Sequence, residues 1–130
     1  MLISGKPVIL LGVSKRLALA RRSDVDTGAL ARYFRILGDP TRLRLVEALL
    51  EHDRSVGELV QIAGAPQSRV SNHLACLRWC KIAESQRRGR EVVYRITDPR
   101  IAELLELGLD LSADKREYLA SCGRIGPDWI

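Results

Sequence analysis

Apolar residues recur at helical spacing over the middle of the chain, and the interruptions in that pattern predict four helices. Gly38 is a typical helix terminator, and Asp39 followed by Pro40 is a typical helix start. Ser55 and Glu58 have the spacing of a capping box, which marks the start of a short helix. The four helices are therefore expected over residues 28–37, 40–51, 55–63 and 66–80.

The second of these helices is expected to bury one face and expose the other. Its inward residues are predicted to be Leu43, Val46, Leu49 and Leu50. Its solvated face is predicted to carry Arg42, Arg44 and Glu47.

The helix predicted over residues 66–80 has a polar front and an apolar line. Val70, Leu74 and Leu77 are spaced so that they form the line that is buried. A short helix, a tight turn with glycine and a second helix with a polar start are typical of a helix-turn-helix motif that reads DNA. The candidate groove contacts are the residues of the first turns: Gln67, Ser68, Arg69, Ser71, Asn72 and His73.

The period then changes to two, which predicts strands over residues 82–87 and 91–97. Arg88-Gly89-Arg90 lies between them and is typical of a hairpin turn, because glycine accepts a positive φ. A basic hairpin directly after a DNA-reading helix is a wing. In another context its arginines would be an ordinary solvated turn, but here Arg87, Arg88 and Arg90 are expected to contact phosphates or a minor groove.

Asp98-Pro99 starts a last long helix with more apolar residues than one face of a monomer can bury. These residues are Ile101, Leu104, Leu105, Leu107, Leu109 and Leu111. A second copy of the chain is expected to cover them.

The predicted fold class is therefore mainly α with a small β-hairpin. The order of elements, α-α-α-α-β-β-α, is that of a winged helix-turn-helix, homodimeric through its terminal helices. Residues 1–25 are expected to form a partly flexible N-terminal arm, in which Ser14 can cap a short basic helix; disorder and a DNA-contacting arm are the alternatives. Residues 26–112 are expected to form the DNA-binding and dimerisation domain, and residues 113–130 a C-terminal tail that carries Cys122.

Composition and charge fit one domain with an acidic partner. The chain has 130 residues, of which 46% are hydrophobic, and a formal net charge of +5. A positive charge favours nucleic acid or an anionic membrane as partner, and no apolar run is long enough for a membrane span. The sequence also lacks a Ser/His/Asp set, a pair of catalytic carboxylates and a phosphate-binding glycine loop, so an enzyme is not expected.

Three cysteines are an odd number, which argues against a closed disulfide framework. Cys76 and Cys80 are four residues apart and therefore neighbours on one helix face. Such a pair is often just two small core residues, and metal binding and redox chemistry are the alternatives. Arg78 and Lys81 are expected to favour the thiolate form of the pair.

Taken together, the motifs resemble the ArsR/SmtB family of winged-helix repressors. The matching stretches are LGDPTRLRLVEALL at residues 37–50, SVGELV at 55–60, QSRVSNHLACLR at 67–78 and GREVVYRI at 89–96. The resemblance implies a cytoplasmic homodimer that binds a palindromic double-stranded operator and is released by a metal or another inducer. It implies no membrane partner and no organic cofactor.

Within that family, LACLRWC with a further cysteine past the last helix looks like the cadmium- and lead-sensing, CmtR-like branch. Two other common family sites are not matched, because the short helix has no cysteine and the last helix has no histidine. The resemblance thus implies Cys76, Cys80 and Cys122 as metal ligands, with Cys122 supplied by its own subunit or by the partner. Three thiolates favour Cd, Pb or Hg, whereas structural zinc takes four ligands.

Two alternatives use the same residues differently. The cysteines could sense oxidants by forming a disulfide while the helix still binds DNA. The winged helix could also serve only for protein–protein contact. The protein would then show no salt-dependent affinity for a palindromic duplex.

Overall fold

The structure, a computed structural model, describes residues 26–122. The predicted N-terminal arm and the last residues of the predicted tail lie outside this range. The chain divides into two compact units, residues 1–33 and 34–130, and each is described by itself. In the first unit the described residues form the start of a helix, where the Asp26 side chain accepts a 3.0 Å hydrogen bond from the backbone N–H of Ala29.

The described elements follow the predicted order, with one short strand before the third helix and one short helix after the last long one. The helices are α1 (Thr27–Leu37), α2 (Pro40–Glu51), α3 (Val56–Ala63), α4 (Gln67–Trp79), α5 (Arg100–Ala113) and α6 (Arg116–Ser121). The strands are β1 (Arg54–Ser55), β2 (Glu84–Arg88) and β3 (Glu91–Arg95). The structure therefore confirms a mainly helical fold with a small antiparallel hairpin.

The core of the second unit lies where α2, α3 and α4 meet. Its fully buried side chains are Leu45, Val46, Leu59, Val70, Leu74 and Leu77. The apolar line predicted for α4 is thus confirmed. On α2 the buried face is shifted from the predicted one, because it includes Leu45 and leaves Leu43 and Leu50 half-buried. Leu45 and Val46 are adjacent and both buried, so the buried stripe of α2 is wider than the i, i+3, i+4 positions alone.

Two helix starts follow the predicted chemistry. The Asp39 carboxylate accepts a 2.9 Å hydrogen bond from the backbone N–H of Arg42, and Pro40 opens α2. The Ser55 hydroxyl accepts a bond from the backbone N–H of Glu58, whose carboxylate accepts one from the Ser55 N–H. These caps satisfy backbone groups that a helix cannot pair internally.

The sheet has three antiparallel strands in the order β1-β3-β2. The hairpin of β2 and β3 was predicted, and Gly89 takes a positive φ of 65° in its turn. The strand β1 was not predicted, since two residues carry no alternation. It pairs Arg54 with Tyr94 and Ser55 with Val93, and so ties the start of α3 to the hairpin.

The turn after α4 holds a residue in a conformation that L side chains avoid. Lys81 has a φ of 65° in that turn. A left-handed conformation costs a residue with a β-carbon about 1–2 kcal/mol, although glycine gains unfolded-state entropy. We therefore expect Lys81→Gly to raise the free energy of unfolding by roughly 0.5–1 kcal/mol in urea denaturation.

A matched reverse substitution is available at Gly64, which has a φ of 61° and open space around it. Gly64→Lys is expected to lower the free energy of unfolding by about 1 kcal/mol, because only backbone strain is added. A Lys81→Gly protein that is less stable than the parent would contradict the assignment of strain to Lys81.

The second half of α5 leaves apolar side chains uncovered on more than one side of the helix. Leu107, Leu109 and Leu111 are each more than half exposed, and Ile101 is buried at the other end of the helix. Phe34, Leu37, Leu43, Leu104, Leu105 and Leu109 line a groove of about 270 Å³ between this helix, α1 and α2. The predicted excess of apolar residues on α5 is confirmed. Among the described residues, no helix is long and apolar enough to cross a membrane.

Candidate nucleic-acid interface and thiol pair

The front of α4 is exposed while its back is locked into the core. Val70, Leu74 and Leu77 are fully buried, so the helix cannot rotate without breaking the core. Its exposed polar residues are Gln67, Ser68, Arg69, Ser71 and Asn72. The turn before it begins at Gly64, whose N–H caps α3 by donating to the carbonyl of Val60. The geometry is that of a helix-turn-helix with its second helix presented to solvent.

His73 is placed differently from the other candidate contacts. It is half-buried, with Nδ1 3.1 Å from Nη1 of Arg42 and Nε2 3.9 Å from the Asp39 carboxylate. The structure thus gives His73 partners inside the protein, and a DNA contact for it remains a prediction.

Arg42 is the main residue of this region that the sequence did not reveal. It was predicted to lie on the solvated face of α2, and that prediction is wrong. Its Nε donates a 2.6 Å hydrogen bond to the carbonyl of Ile36, and Nη2 lies 3.5 Å from the carbonyl of Arg35. The last carbonyls of a helix have no intrahelical partner, so the guanidinium is drawn to the end of α1. The only sequence signal is the position of Arg42 one turn after the Asp39-Pro40 start.

The wing presents all three predicted arginines to solvent. Arg87, Arg88 and Arg90 are exposed on the hairpin. Arg88 also forms a 3.2 Å ion pair with Asp53, and its Nη2 lies 3.4 Å from the side-chain oxygen of Gln86. Exposed pairs of this kind are worth little, so Arg88 can exchange Asp53 for a phosphate at small cost.

Cys76 and Cys80 are free thiols, each half-buried near the end of α4. Burial raises the pKa of the Cys80 thiol, Cys76 raises it further, and the Arg42 guanidinium acts in the opposite direction. The prediction that Arg78 and Lys81 favour the thiolate is wrong for Cys80. Arg78 is two residues away, so its side chain leaves the helix on a different side.

Cys122, just beyond α6, is also a free and half-buried thiol. Within residues 26–122 of one chain, no three His, Cys, Asp or Glu side chains come close enough to hold a metal ion. The structure therefore brings Cys76 and Cys80 together on one helix and does not bring Cys122 to them within a subunit.

Comparison with known proteins agrees with this geometry. The chain is 44% identical over 95 residues to a probable mercury resistance operon repressor of Streptomyces lividans. The matched region covers 73% of this chain and 76% of that protein. The chain is also 41% identical over 96 residues to the transcriptional regulator CmtR of Mycobacterium bovis. That match covers 71% of this chain and 81% of CmtR. The resemblance to the CmtR-like branch is confirmed by these relatives.

A solved structure gives the same fold. It is the homodimeric winged helix-turn-helix DNA-binding domain of a possible ArsR-family regulator from Mycobacterium bovis, with a TM-score of 0.57 and 26% identity. The match covers 72% of this chain and 90% of that one. Residues 39–85, from the cap of α2 into β2, match the family described as bacterial regulatory protein, arsR family. The predictions of a winged helix-turn-helix and of a regulator rather than an enzyme are confirmed, and the chain belongs to the ArsR family of bacterial regulatory proteins.

Proposed function

We propose that this chain is a cytoplasmic homodimeric repressor that leaves its palindromic operator when a soft metal ion binds it. The ion is Cd, Pb or Hg, and its ligands are the thiolates of Cys76, Cys80 and Cys122. The observation that carries the proposal is the position of two accessible, adjacent thiols on the same helix as the exposed polar front.

The DNA contacts follow from exposure and charge. The front of α4 offers an arginine and amide side chains, which can pair with guanine and adenine edges respectively. The wing adds exposed arginines that can reach phosphates, and the net charge of +5 favours association with a polyanion. His73 is better suited to hold the helix in place than to enter a groove, since its ring nitrogens face α2.

The dimer is supported by the uncovered leucines of α5. Three leucines that are more than half exposed within little more than one turn of a helix need a cover, and a C2 interface supplies the same surface from the second copy. A related structure of this family is described as homodimeric. The third thiol then comes from Cys122 of the partner subunit, because the three thiols of one chain do not meet.

The chemistry of the donors fits a soft ion. Thiolate sulfur selects thiophilic metals, and a site with three sulfurs leaves the fourth position of structural zinc unfilled. When bound, the ion supplies strong bonds to sulfur that tie the end of α4 to the tail of the partner. Burial raises the pKa of the Cys80 thiol, so metal binding there would release a proton.

A disulfide between Cys76 and Cys80 is a poorer use of the same pair. The Cβ atoms of residues four apart on a helix are about 5–6 Å from each other, whereas a disulfide needs about 3.5–4.5 Å. A metal ion held between Cys76 and Cys80 would span the helical spacing without unwinding the helix.

The test is an anaerobic titration of the protein with Cd(II) in the presence of a labelled palindromic duplex, selected in vitro with the same protein. A thiolate-to-metal ultraviolet band that grows to one equivalent per site, with parallel release of the duplex, is the expected result. Release of DNA after peroxide but not after Cd(II) would show an oxidant sensor instead. No duplex selected at all would favour a winged helix used only for protein contacts.

A further inference from the structure

The exposed face of α4 ends in a large aromatic side chain. Trp79 is the last residue of the helix, and 86% of it is exposed. No other large apolar side chain of α4 is exposed, since Val70, Leu74 and Leu77 are fully buried. Tryptophan is highly buried in most proteins and is enriched where binding energy is concentrated. The exposure of Trp79 therefore indicates a surface that a partner covers.

Trp79 shares its side of α4 with two of the candidate groove contacts. At about 100° per residue it lies within about 20° of Ser68 and of Asn72, and about 180° from the buried Val70. The exposed stripe directly opposite the core therefore consists of Ser68, Asn72, Ala75 and Trp79. Because a helix-turn-helix presents its second helix to the duplex, this stripe continues the DNA-reading surface to the end of α4.

The distance along the helix puts Trp79 at the edge of a major groove rather than over its floor. At about 1.5 Å per residue, Trp79 lies about 10 Å beyond Asn72 along the axis, and the groove is about 12 Å wide. Base edges form the floor of the groove, so deoxyribose and phosphate line its edge. The first turns of such a helix contact the bases, and a long side chain at its other end suits the greater distance to the duplex.

The charges beside Trp79 favour DNA as the cover. Arg78 precedes the ring and Lys81 follows it by two residues, and both are exposed. Lysine is depleted in protein–protein interfaces, whereas phosphates attract lysine and arginine. An aromatic ring between two exposed cations thus fits the backbone of a duplex better than the surface of a second protein chain.

We propose that Trp79 is a DNA contact at the edge of the major groove. Its ring packs on a deoxyribose of the duplex backbone, and its indole N–H donates to a phosphate oxygen. The inference rests on the DNA binding of the proposed function and is independent of the thiol pair. Contacts with sugar and phosphate carry no sequence information. Trp79 therefore adds affinity for any duplex, while the first turns of α4 supply the choice of operator.

The first test uses the fluorescence of Trp79 itself. The chain has two tryptophans, so Trp129→Phe leaves Trp79 as the single one. Acrylamide quenching is measured in this variant, reduced and free of metal, with and without the duplex selected with wild type. Bound duplex is expected to lower the quenching constant at least about threefold, because a ring that is 86% exposed becomes desolvated. Anisotropy of the labelled duplex shows in parallel that it is bound.

The second test replaces the ring. Trp79→Ala is expected to weaken binding of the selected duplex and of a scrambled duplex by the same factor, about five- to tenfold. The dependence of affinity on salt should stay unchanged, because no cation is lost. Trp79→Phe keeps an aromatic ring and should lose less than about threefold. Tyr118→Ala is the matched control, since Tyr118 is an aromatic residue of α6 that is 76% exposed, and it should bind both duplexes as wild type does.

Quenching that is unchanged while the duplex is bound would overturn the inference. Weak quenching in the protein without DNA would also overturn it, and would show that a second copy covers Trp79. A loss in Trp79→Ala that is confined to the selected duplex would mean a contact with bases and would contradict the backbone contact. If wild type bound no duplex at all, the proposed function would be refuted, and the inference with it.

Discussion

Replacing Cys80 with serine is expected to give a repressor that still binds its operator and no longer releases it when Cd(II) is added. Serine offers a hard oxygen in place of a soft sulfur, and soft ions prefer thiolates. Loss of partners that merely orient ligands already costs 10–100-fold in metal affinity, so loss of a ligand should cost at least about 100-fold. The measurement is fluorescence anisotropy of the labelled duplex over a Cd(II) titration.

DNA binding without metal should survive this change, because the substitution is small and keeps a neutral side chain. The raised pKa of the Cys80 thiol means that it is protonated at neutral pH, as the serine hydroxyl is. Cys80 is also half-buried at the end of α4, away from the exposed first turns that are proposed to contact DNA.

Ala75→Ser is the matched control, since Ala75 is exposed on the same helix and the change adds a hydroxyl without removing sulfur. It should release DNA at the same Cd(II) concentration as wild type. If Cys80→Ser also released DNA at that concentration, the thiol pair would not be the sensor.

The sequence predicted the helices well where their ends are chemically marked. The structure has caps at the marked helix ends: Asp39-Pro40, the Ser55–Glu58 box and Gly64. Each of them deals with backbone N–H or carbonyl groups that the helix cannot pair internally. The apolar line of α4 followed from spacing alone, since helical periodicity dictates which side chains share a face. Local chemistry of this kind is fully contained in a few neighbouring residues.

What the sequence did not contain were contacts between elements. The strand β1 exists because two residues happen to lie beside β3, and its own pattern is too short to predict it. Arg42 looks like an ordinary surface arginine until α1 and α4 are placed on either side of it. Its role depends on carbonyls and a ring that are close in space and up to 31 residues apart along the chain.

The candidate thiol site divides in the same way. Cys76 and Cys80 were predicted as neighbours because four residues span one helical turn, and they lie together at the end of α4. The position of Cys122 depends on the path of the chain after α5 and on the second copy, neither of which is encoded in spacing.

Leu109→Glu is expected to convert the protein into a folded monomer with weak operator affinity. Leu109 is 60% exposed in a single chain, so the carboxylate is solvated in the monomer and the fold is retained. In the dimer the same carboxylate would be buried without a partner, which costs about 3–5 kcal/mol. A penalty of that size raises the dimer dissociation constant more than about a hundredfold. Sedimentation velocity at micromolar concentration measures it directly.

Ile62→Glu is the matched control, because Ile62 is 40% exposed on α3 and the change is of the same kind. It should remain dimeric. A dimeric Leu109→Glu protein would refute the interface through α5.

The same variant separates the two roles of the dimer. A palindrome holds two recognition helices, so a monomer that reads one half-site loses the contribution of the other, and duplex affinity should fall at least about a hundredfold. If Cys122 of the partner subunit completes the metal site, the monomer keeps only the two thiols on α4. Its Cd(II)–thiolate band should then weaken to that of two sulfurs. A monomer with an undiminished band would mean that each chain supplies its own third thiolate. Coupling to DNA would then run through α4 within each chain, because no metal bond would cross the interface.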